Sequence, residues 1–431
     1  MIPQPRPDRD TTARRVLAVL SAWPYWPVVS HSALRRVLPG ITISSVGDGM
    51  GMVAVAWLAL QLAPGRSQGL WVAAAVAAYT LPGAAGAVAL ARLLAHRSGA
   101  RLAGQDAALR ALALGAAAAA AGAGTLSAGG YVVLLAVSSL LNGWGTAGKF
   151  TLVAERLPAE HRLAGNAAFS MLSTTGFIVG PAIAGVAVAA GGPALVIGID
   201  AITFAVLAVS YLALPSASPR SPDEHEDGGA PPKRAPGFKV IMRNGQLLAL
   251  TAVTCMFFLL YGPVEVALPI HVRHDLHGSA ALLGAFWTLF AAGEVIGGLG
   301  AAYLRRWKLW PVTTGIILGW GICLLPTGAS GSLGLALAGF ATGGLLYAPF
   351  PATTMTLFQR MTPPSALAPV LAARGAITLS VPSLGEVLGG PLVTAIGAGP
   401  TLLVSATATI VLGAATGIGA TATSMRRRRA R

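Results

Sequence analysis

Charged side chains are scarce in this sequence. Asp, Glu, Lys and Arg make up only 10% of its 431 residues, while 54% of the residues are hydrophobic and the mean hydropathy is +0.68. Soluble domains carry about 25% charged residues, so the composition excludes that class. Cysteine is nearly absent too. Cys255 and Cys323 both fall in long apolar runs, which argues against a disulfide framework, and we expect no metal site.

Long apolar runs take the place of the missing charges. A helix needs about 20 apolar residues to cross a hydrocarbon core about 30 Å thick, and runs of that length recur along nearly the whole chain. Stretches such as LGAAAAAAGAGTL (114–126) have no period of two and favour helix, which excludes membrane β-strands. We predict an all-α membrane protein with twelve transmembrane helices. The predicted spans are 40–62, 69–92, 104–125, 131–152, 165–189, 194–214, 246–268, 280–303, 310–328, 331–357, 367–395 and 399–420.

The basic residues are distributed by membrane face. Alternate loops, both tails and the adjoining span ends hold 27 of the 30 Lys and Arg, the opposite loops hold Arg66 and Arg273, and Arg110 lies inside a span. The positive-inside rule then predicts a multi-pass membrane protein with both termini in the cytoplasm. The net charge of +15 is explained by this topology, so we expect the lipid bilayer rather than nucleic acid as partner.

One interval interrupts the apolar pattern. Residues 215–237, PSASPRSPDEHEDGGAPPKRAPG, are rich in proline and charge and cannot pack as a membrane helix. They separate six spans from six, and AYTLPGAAGAV (78–88) weakly resembles FWTLFAAGEVI (286–296), so we predict two six-helix pseudo-repeats. The predicted division is a cytoplasmic or interfacial segment at 1–38, a six-helix bundle at 39–214, a linker at 215–244, a second bundle at 245–421 and a basic tail at 422–431.

Four stretches in the right order and topology carry a family resemblance. They contain LRRVLPGITISSVGDGMGM (34–52), GFIVGPAIAG (176–185), FKVIMRNGQLL (238–248) and FWTLFAAGEVIGG (286–298). The sequence resembles the major facilitator superfamily, and within it the bacterial drug and siderophore exporters related to the enterobactin exporter. The resemblance covers roughly residues 34–420.

The resemblance implies the major facilitator fold and a monomeric secondary active transporter without cofactors. Its expected action is proton-coupled efflux of an apolar or cationic small molecule, such as a drug, siderophore or secondary metabolite, by alternating access. An importer or facilitator of a small solute on the same fold is the alternative. A polytopic membrane enzyme is a remote one, because the loops offer no catalytic cluster beyond the linker acids DEHED (223–227).

The loop between the second and third spans carries a degenerate form of a family motif. RLLAHRSGAR (92–101) stands where the family has G-x-L-A-D-R-x-G-R-R. Arg97, Gly99 and Arg101 match, but His96 replaces the aspartate and cannot supply the carboxylate of the family's charge latch.

The stretch 176–185 is similar to the antiporter signature G-x-x-x-G-P-x-x-G-G of exporters. Gly176 and Gly180 recur at a spacing of four and would let a neighbouring helix approach closely, Pro181 permits a bend, and Gly185 completes the match. This motif favours export.

Charged groups inside spans are candidates for function, because each costs at least about 2.5–3.5 kcal/mol to insert. Asp48 lies about 12 Å into the first span by helix rise, and Arg110 lies at a comparable depth in the third. We expect them to form a structural or gating pair, with Asp48 also a candidate for proton coupling or substrate binding. Asp200 matches a recurrent aspartate of the resembled branch, and we expect a structural role for it.

Three glutamates of the second half have no Lys or Arg at similar depth on their spans. They are Glu265, Glu294 and Glu386. Removal from water favours the protonated form of a carboxyl group, so these residues are candidates for proton coupling or substrate binding. Glu294, near mid-membrane, is the first choice, and Glu265 is the weakest because we expect it near the outer surface.

One motif is a false lead. GWGTAGKF (143–150) satisfies G-x-x-x-x-G-K, but Phe150 stands where a phosphate-binding loop needs a hydroxyl for magnesium. We therefore expect Lys149 to reach the lipid headgroups instead.

Overall fold

The computed structural model of the chain describes residues 25–94, 97–215, 237–300, 304, 306–329, 332–363 and 366–429, and the regular structure of this part is helical throughout. The helices are α1 (Trp26–Ser30), α2 (Ser32–Leu62), α3 (Gln68–Ala89), α4 (Ala91–Leu94), α5 (Gly99–Gly122), α6 (Ala128–Ser139), α7 (Asn142–Arg156), α8 (Ala159–Leu212), α9 (Gly237–Arg243), α10 (Gly245–His274), α11 (Ala280–Gly300), α12 (Leu309–Ala329), α13 (Leu333–Tyr347), α14 (Phe350–Met361), α15 (Leu367–Ile396) and α16 (Ala398–Arg429).

Ten segments of the described chain are long and apolar enough to cross a membrane. α6 with α7 forms one of them, and α13 with α14 another. α5 has the length for a further crossing, 24 residues, but Asp106 and Arg110 lower its hydropathy. The 54-residue α8 supplies two crossings rather than one. Together these make the twelve predicted helices, and the all-α membrane fold is confirmed.

α8 is two helices joined at Gly192, whose backbone leaves the helical region with φ 79° and ψ 169°. A positive φ of this size is accessible to glycine without strain. The two arms pack side by side on α2: Gly49 contacts the backbone of Gly176 in the first arm, and Gly47 contacts Asp200 in the second. The chain therefore reverses direction at Gly192, and the arms form the fifth and sixth crossings.

The bundle has two ends, which we name by what lies there. The linker face carries the start of α2 and both ends of the connection between the halves, residues 215 and 237; Arg156 at the end of α7 donates a hydrogen bond to the carbonyl of Pro215 there. The distal face carries the turn between α2 and α3. Residues 216–236 of the predicted linker, and residues 1–24 and 430–431 of the predicted terminal segments, lie outside the described residues.

The two halves touch each other near the distal face. Gln68 Oε1 on α3 lies 2.7 Å from His274 Nε2 on α10. The Arg273 guanidinium, one of the few basic groups on this face, lies 5.6 Å from the centre of the Trp57 ring on α2. These contacts close the distal end of the interface between the halves.

The antiporter-like motif divides its contacts between the halves. Gly176 and Gly180 pack against the α2 backbone within the first half, whereas Pro181 and Gly185 pack against α11 of the second half, the former at Gly284. One stretch of α8 thus joins α2 rigidly on one side and forms the seam between the halves on the other.

The second half has an aromatic core. Ring centroids lie between 4.5 and 6.5 Å apart in a continuous cluster that includes edge-to-face pairs, an arrangement that favours aromatic contacts. Its members are Phe257, Phe258, Tyr261, Phe286, Trp287, Phe290, Trp320, Phe340, Tyr347 and Phe350. The cluster gives the wall of α10 and α11 a fixed shape.

The glycine contact between α8 and α2 makes a testable prediction. A Cβ at Gly180 would overlap the backbone of Gly49 and Met50, whereas a Cβ at Gly315 of α12 meets nothing within 4 Å. Overpacking of this kind costs about 1–3 kcal/mol, so we expect Gly180→Ala to lower the melting temperature of the purified protein by several degrees. Gly315→Ala is the matched control and should be neutral or stabilising. Equal melting temperatures for the two variants would contradict the close approach.

Candidate functional site

A cavity of 390 Å³ lies between the two halves. Its wall in the first half includes Asp48, Tyr79 and Lys149, and its wall in the second half includes Glu265 and Trp287. Because the halves touch at the distal face, the cavity is closed on that side and its approach is from the linker face. The cavity has the size of a small-molecule site.

The structure brings Asp48 and Arg110 together, as the sequence predicted. Oδ1 of Asp48 accepts hydrogen bonds from Arg110 Nη1 and from the Tyr79 hydroxyl, each at 3.1 Å. The side chain of Arg110 is 6% exposed and that of Asp48 is 28% exposed. The pair therefore joins a buried cation to a carboxylate that faces the cavity, and the Lys149 that we expected at the headgroups lines this cavity instead.

Asp106 is a third charged member of this group, and the sequence analysis missed it. It precedes Arg110 by one helical turn on α5, and its Oδ1 lies 3.5 Å from Arg110 Nε. Within the described part of the chain, neither of these two buried atoms makes a hydrogen bond. Gly145 of α7 leaves room for the carboxylate, since a Cβ there would overlap it. The signal in the sequence was the spacing of four between an acid and a base on one helix.

Asp200 approaches the same group from the second arm of α8. It is 3% exposed, and its Oδ1 accepts a hydrogen bond of 3.3 Å from Thr203 Oγ1. Gly47 of α2 faces it closely, and a Cβ at Gly51 would stand 3.7 Å from its Oδ2. Two glycines beside Asp48 thus make room for this carboxyl group, and its structural role stays a prediction. We call Asp48, Tyr79, Asp106, Arg110 and Asp200 the arginine cluster.

A second polar group joins the halves across the cavity wall. Thr80 Oγ1 on α3 lies 3.0 Å from Glu386 Oε2 and 2.9 Å from Ser383 Oγ, both on α15. The backbone of Gly262 on α10 packs closely against Glu386, and Glu265, one helical turn further along α10, brings a second carboxyl group within electrostatic range of Glu386. Two ionised carboxylates within this range repel each other, so the two groups are suited to bind a proton. We call Glu265 and Glu386 the carboxyl pair.

The position expected for Glu265 was wrong. The sequence analysis placed it near the outer surface, in contact with water, but it is half-buried and lines the cavity. The reason is that α10 continues to His274, which puts Glu265 about 13 Å below the distal end of its helix at 1.5 Å per residue. Thr80 was missed because a lone threonine in an apolar helix carries no sequence signal of a partner in the other half.

Glu294, the first choice from sequence, is not among the residues that line the 390 Å³ cavity. It is half-buried on α11, and within the described residues no hydrogen bond or ion pair joins it to the carboxyl pair. Tyr261 and Tyr347 nevertheless lie within electrostatic range of both Glu294 and Glu265.

The end of the loop motif, at the start of α5, contacts a carboxylate from another helix. The N–H of Gly99 donates to Glu155 Oε1 of α7 at 3.0 Å, which places a negative charge at the start of α5, where a helix favours it. Arg97 and Arg101 flank this contact, and His96 lies outside the described residues. The acid was missed because it comes from another helix.

Comparison with known proteins agrees with this architecture. The sequence profile of the Major Facilitator Superfamily matches residues 37–385. The multidrug efflux pump Tap of Mycobacterium tuberculosis is 26% identical over 376 residues, which cover 85% of this chain and 88% of the pump. The Tap pump of Mycobacterium bovis matches to the same extent.

Solved structures share the fold. The nucleoside transporter NupG superposes with a TM-score of 0.67 at 12% identity, over 89% of this chain and 98% of NupG. A bacterial homologue of the human lysosomal transporter Spinster, in an inward-facing and unoccupied conformation, superposes with a TM-score of 0.67 at 11% identity, over 89% of this chain and 94% of that one. At these identities the likeness shows the fold alone.

The hydrogen bond between Thr80 and Glu386 should hold the distal face closed. We expect Thr80→Val, which keeps the shape but removes the hydroxyl group, to open this face more often, and Thr80→Ser, which keeps the hydroxyl group, to behave like the parent. The measurement is the yield of thiol cross-linking between Gln68→Cys and His274→Cys in a chain without Cys255 and Cys323. Unchanged yield in Thr80→Val would show that the hydrogen bond does not stabilise closure.

Proposed function

The chain belongs to the Major Facilitator Superfamily, and we propose that this member is a proton-coupled exporter of apolar or cationic small molecules. It is a multi-pass membrane transporter rather than an enzyme. Similarity to a multidrug efflux pump over 85% of the chain supports the direction of transport. A cavity of 390 Å³ with both aromatic and charged walls suits such substrates.

The proposed orientation has the linker face in the cytoplasm of a bacterial inner membrane. The support is the distribution of charge, since the sequence-based topology assigns 27 of the 30 basic residues to that face. The cavity is then approached from the cytoplasm, the side on which an exporter takes up its substrate, while Gln68 and His274 close the outer side. We also propose the domain boundaries given above and a monomer as the working unit.

Proton coupling is proposed at the carboxyl pair, and the contact between Thr80 and Glu386 carries this proposal. The two residues belong to different halves and lie 3.0 Å apart, so opening the distal face must separate them. A carboxylate that loses a hydrogen-bond donor binds a proton more readily. Opening to the outside would therefore load a proton on Glu386, and closure with return of the Thr80 hydroxyl group would release it to the cytoplasm.

The test of coupling is transport into everted membrane vesicles with ethidium as the probe. We expect uptake to require an acidic lumen, because the proton leaves down its gradient as the probe enters. Glu386→Gln should abolish gradient-driven uptake and keep exchange of ethidium for ethidium, since exchange needs no proton. Glu294→Gln, which alters an acid away from the cavity lining, is the control and should keep most of the uptake.

Uptake that persists in full after the gradient is collapsed, or in Glu386→Gln, would overturn coupling at this pair. Loss of gradient-driven uptake in Glu294→Gln alone would return the proton to that residue. Gradient-independent exchange as the only activity of the native protein would favour the alternative, a facilitator of a small solute.

A further inference from the structure

We propose that Arg110 occupies, in the absence of substrate, the place beside Asp48 that a cationic substrate takes, and that Arg110 moves to Asp106 when an organic cation binds Asp48. The inference takes its substrate class from the proposed export function, but it concerns the binding step alone. It makes Asp48 the cation-binding residue of the cavity and Asp106 the residue that receives the displaced arginine.

Asp48 is placed to bind a cation from the cavity. It lies on the cavity wall and 28% of its side chain is exposed. Both donors that reach it, Arg110 Nη1 and the Tyr79 hydroxyl, go to the same oxygen, Oδ1. In the part of the chain that the structure describes, no hydrogen bond is made to Oδ2. One oxygen thus remains for a ligand, and a carboxylate has acceptor capacity to spare on the other.

Arg110 is held in place but bonded weakly. A guanidinium carries five N–H donors, yet among the described residues this one makes a single hydrogen bond, from Nη1 to Asp48. Its buried Nε makes no hydrogen bond there and is held by the longer ion pair with Asp106. The rings of Phe204 and Tyr79 lie 5.0 and 5.8 Å from its central carbon and fix its plane by cation–π contact. The charge can therefore change carboxylates while the rings keep it in position.

Asp106 is ready to receive the arginine. It is only 6% exposed, and its Oδ1 has no hydrogen bond although Arg110 Nε lies 3.5 Å away. A charge-assisted hydrogen bond has a length of about 2.8 Å, so a shift of less than about 1 Å would complete it. A buried acceptor without a donor is costly, which favours this shift as soon as Asp48 has another partner.

The charge balance of the site favours a cation over an anion. The arginine cluster contains the carboxyl groups of Asp48, Asp106 and Asp200, whereas the basic groups near them are Arg110 and Lys149 of the cavity wall. The acidic groups therefore outnumber the basic ones by three to two, and Glu265 adds a carboxyl group on the opposite wall of the cavity. Tyr79 and Trp287 line opposite walls of the same cavity, and aromatic rings attract cations. The site therefore suits a lipophilic organic cation.

A purely structural role for the cluster predicts different energetics. If Arg110 stays on Asp48, removal of Asp106 acts on cation binding through its charge alone, and removal of Asp200 from the same cluster should weaken binding to a similar degree. If Arg110 transfers, Asp106 matters more than Asp200, and it matters only while there is an arginine to receive. The comparison with Asp200 separates the two roles, and a double-mutant cycle with Arg110 shows whether the effect of Asp106 needs the arginine.

The experiment measures binding of tetraphenylphosphonium to the purified full chain without a pH gradient, with tetraphenylborate as the anion of the same shape. We expect the cation to bind and the anion not to compete. Asp48→Asn should weaken binding of the cation by at least about tenfold. Asp106→Asn should also weaken it by about tenfold in the native background, but by less than about twofold in Arg110→Gln.

Asp200→Asn is the matched control, since it removes a carboxylate of the same cluster that, among the described residues, forms no hydrogen bond or ion pair with Arg110. Asp200 interacts with Arg110 only at longer range, so its effect should be smaller than that of Asp106→Asn and nearly the same factor in both backgrounds. Should Arg110→Gln fail to yield folded protein, the two aspartate variants are compared in the native background, where Asp106→Asn should weaken binding at least about fivefold more.

Equal effects of Asp106→Asn in both backgrounds, or equal losses in Asp106→Asn and Asp200→Asn, would overturn the transfer of Arg110. Binding that ignores the sign of the probe's charge would overturn the cation site. Since these measurements need no gradient, the cation site can be confirmed even if the protein shows no proton-coupled export. Conversely, the cation site can be overturned in a protein that still exports ethidium.

Discussion

The first half depends on keeping one guanidinium charged inside the membrane. Arg110 is 5% exposed, and a cation at that depth is expensive unless carboxylates surround it. Asp48 on α2 and Asp106 on α5 supply the negative charge, and Asp200 on α8 lies near them. Room for this arrangement comes from residues without side chains: Gly47 of α2 admits Asp200, and other glycines bring α8 and α7 close. The glycine content of α2 is thus a requirement of the charge cluster.

The second half is stabilised differently, and the difference bears on transport. Its wall is an aromatic core with carboxyl groups at its edge, where Glu386 meets Thr80 of the other half at 3.0 Å. The contact can break because it is a single hydrogen bond, and small residues such as Gly185 form the adjoining seam. A rigid cluster on one side and a breakable contact on the other are the features that rocking halves require.

The sequence predicted the fold because hydropathy and the placement of basic residues are local quantities. Twelve spans and the paired depth of Asp48 and Arg110 follow from counting along helices. Counting fails for partners that come from another helix. Glu155 at the start of α5 and Thr80 beside Glu386 were missed for that reason. Lys149, which was expected at the lipid headgroups, lines the cavity. The position of Glu265 was predicted wrongly because α10 extends beyond the predicted span, so that Glu265 lies about 13 Å from its distal end.

The sequence by itself determined that the chain crosses the membrane twelve times, which face holds its basic residues, and which charges lie too deep to stand alone. These conclusions need only the cost of burying charge and the rise of a helix. Only the tertiary structure decided which charges meet. Whether Asp106 or Asp200 faces Arg110, and whether Glu386 or Glu294 faces the seam, depends on helix rotation and on the close approach that glycines permit. Those are set by packing of the whole bundle.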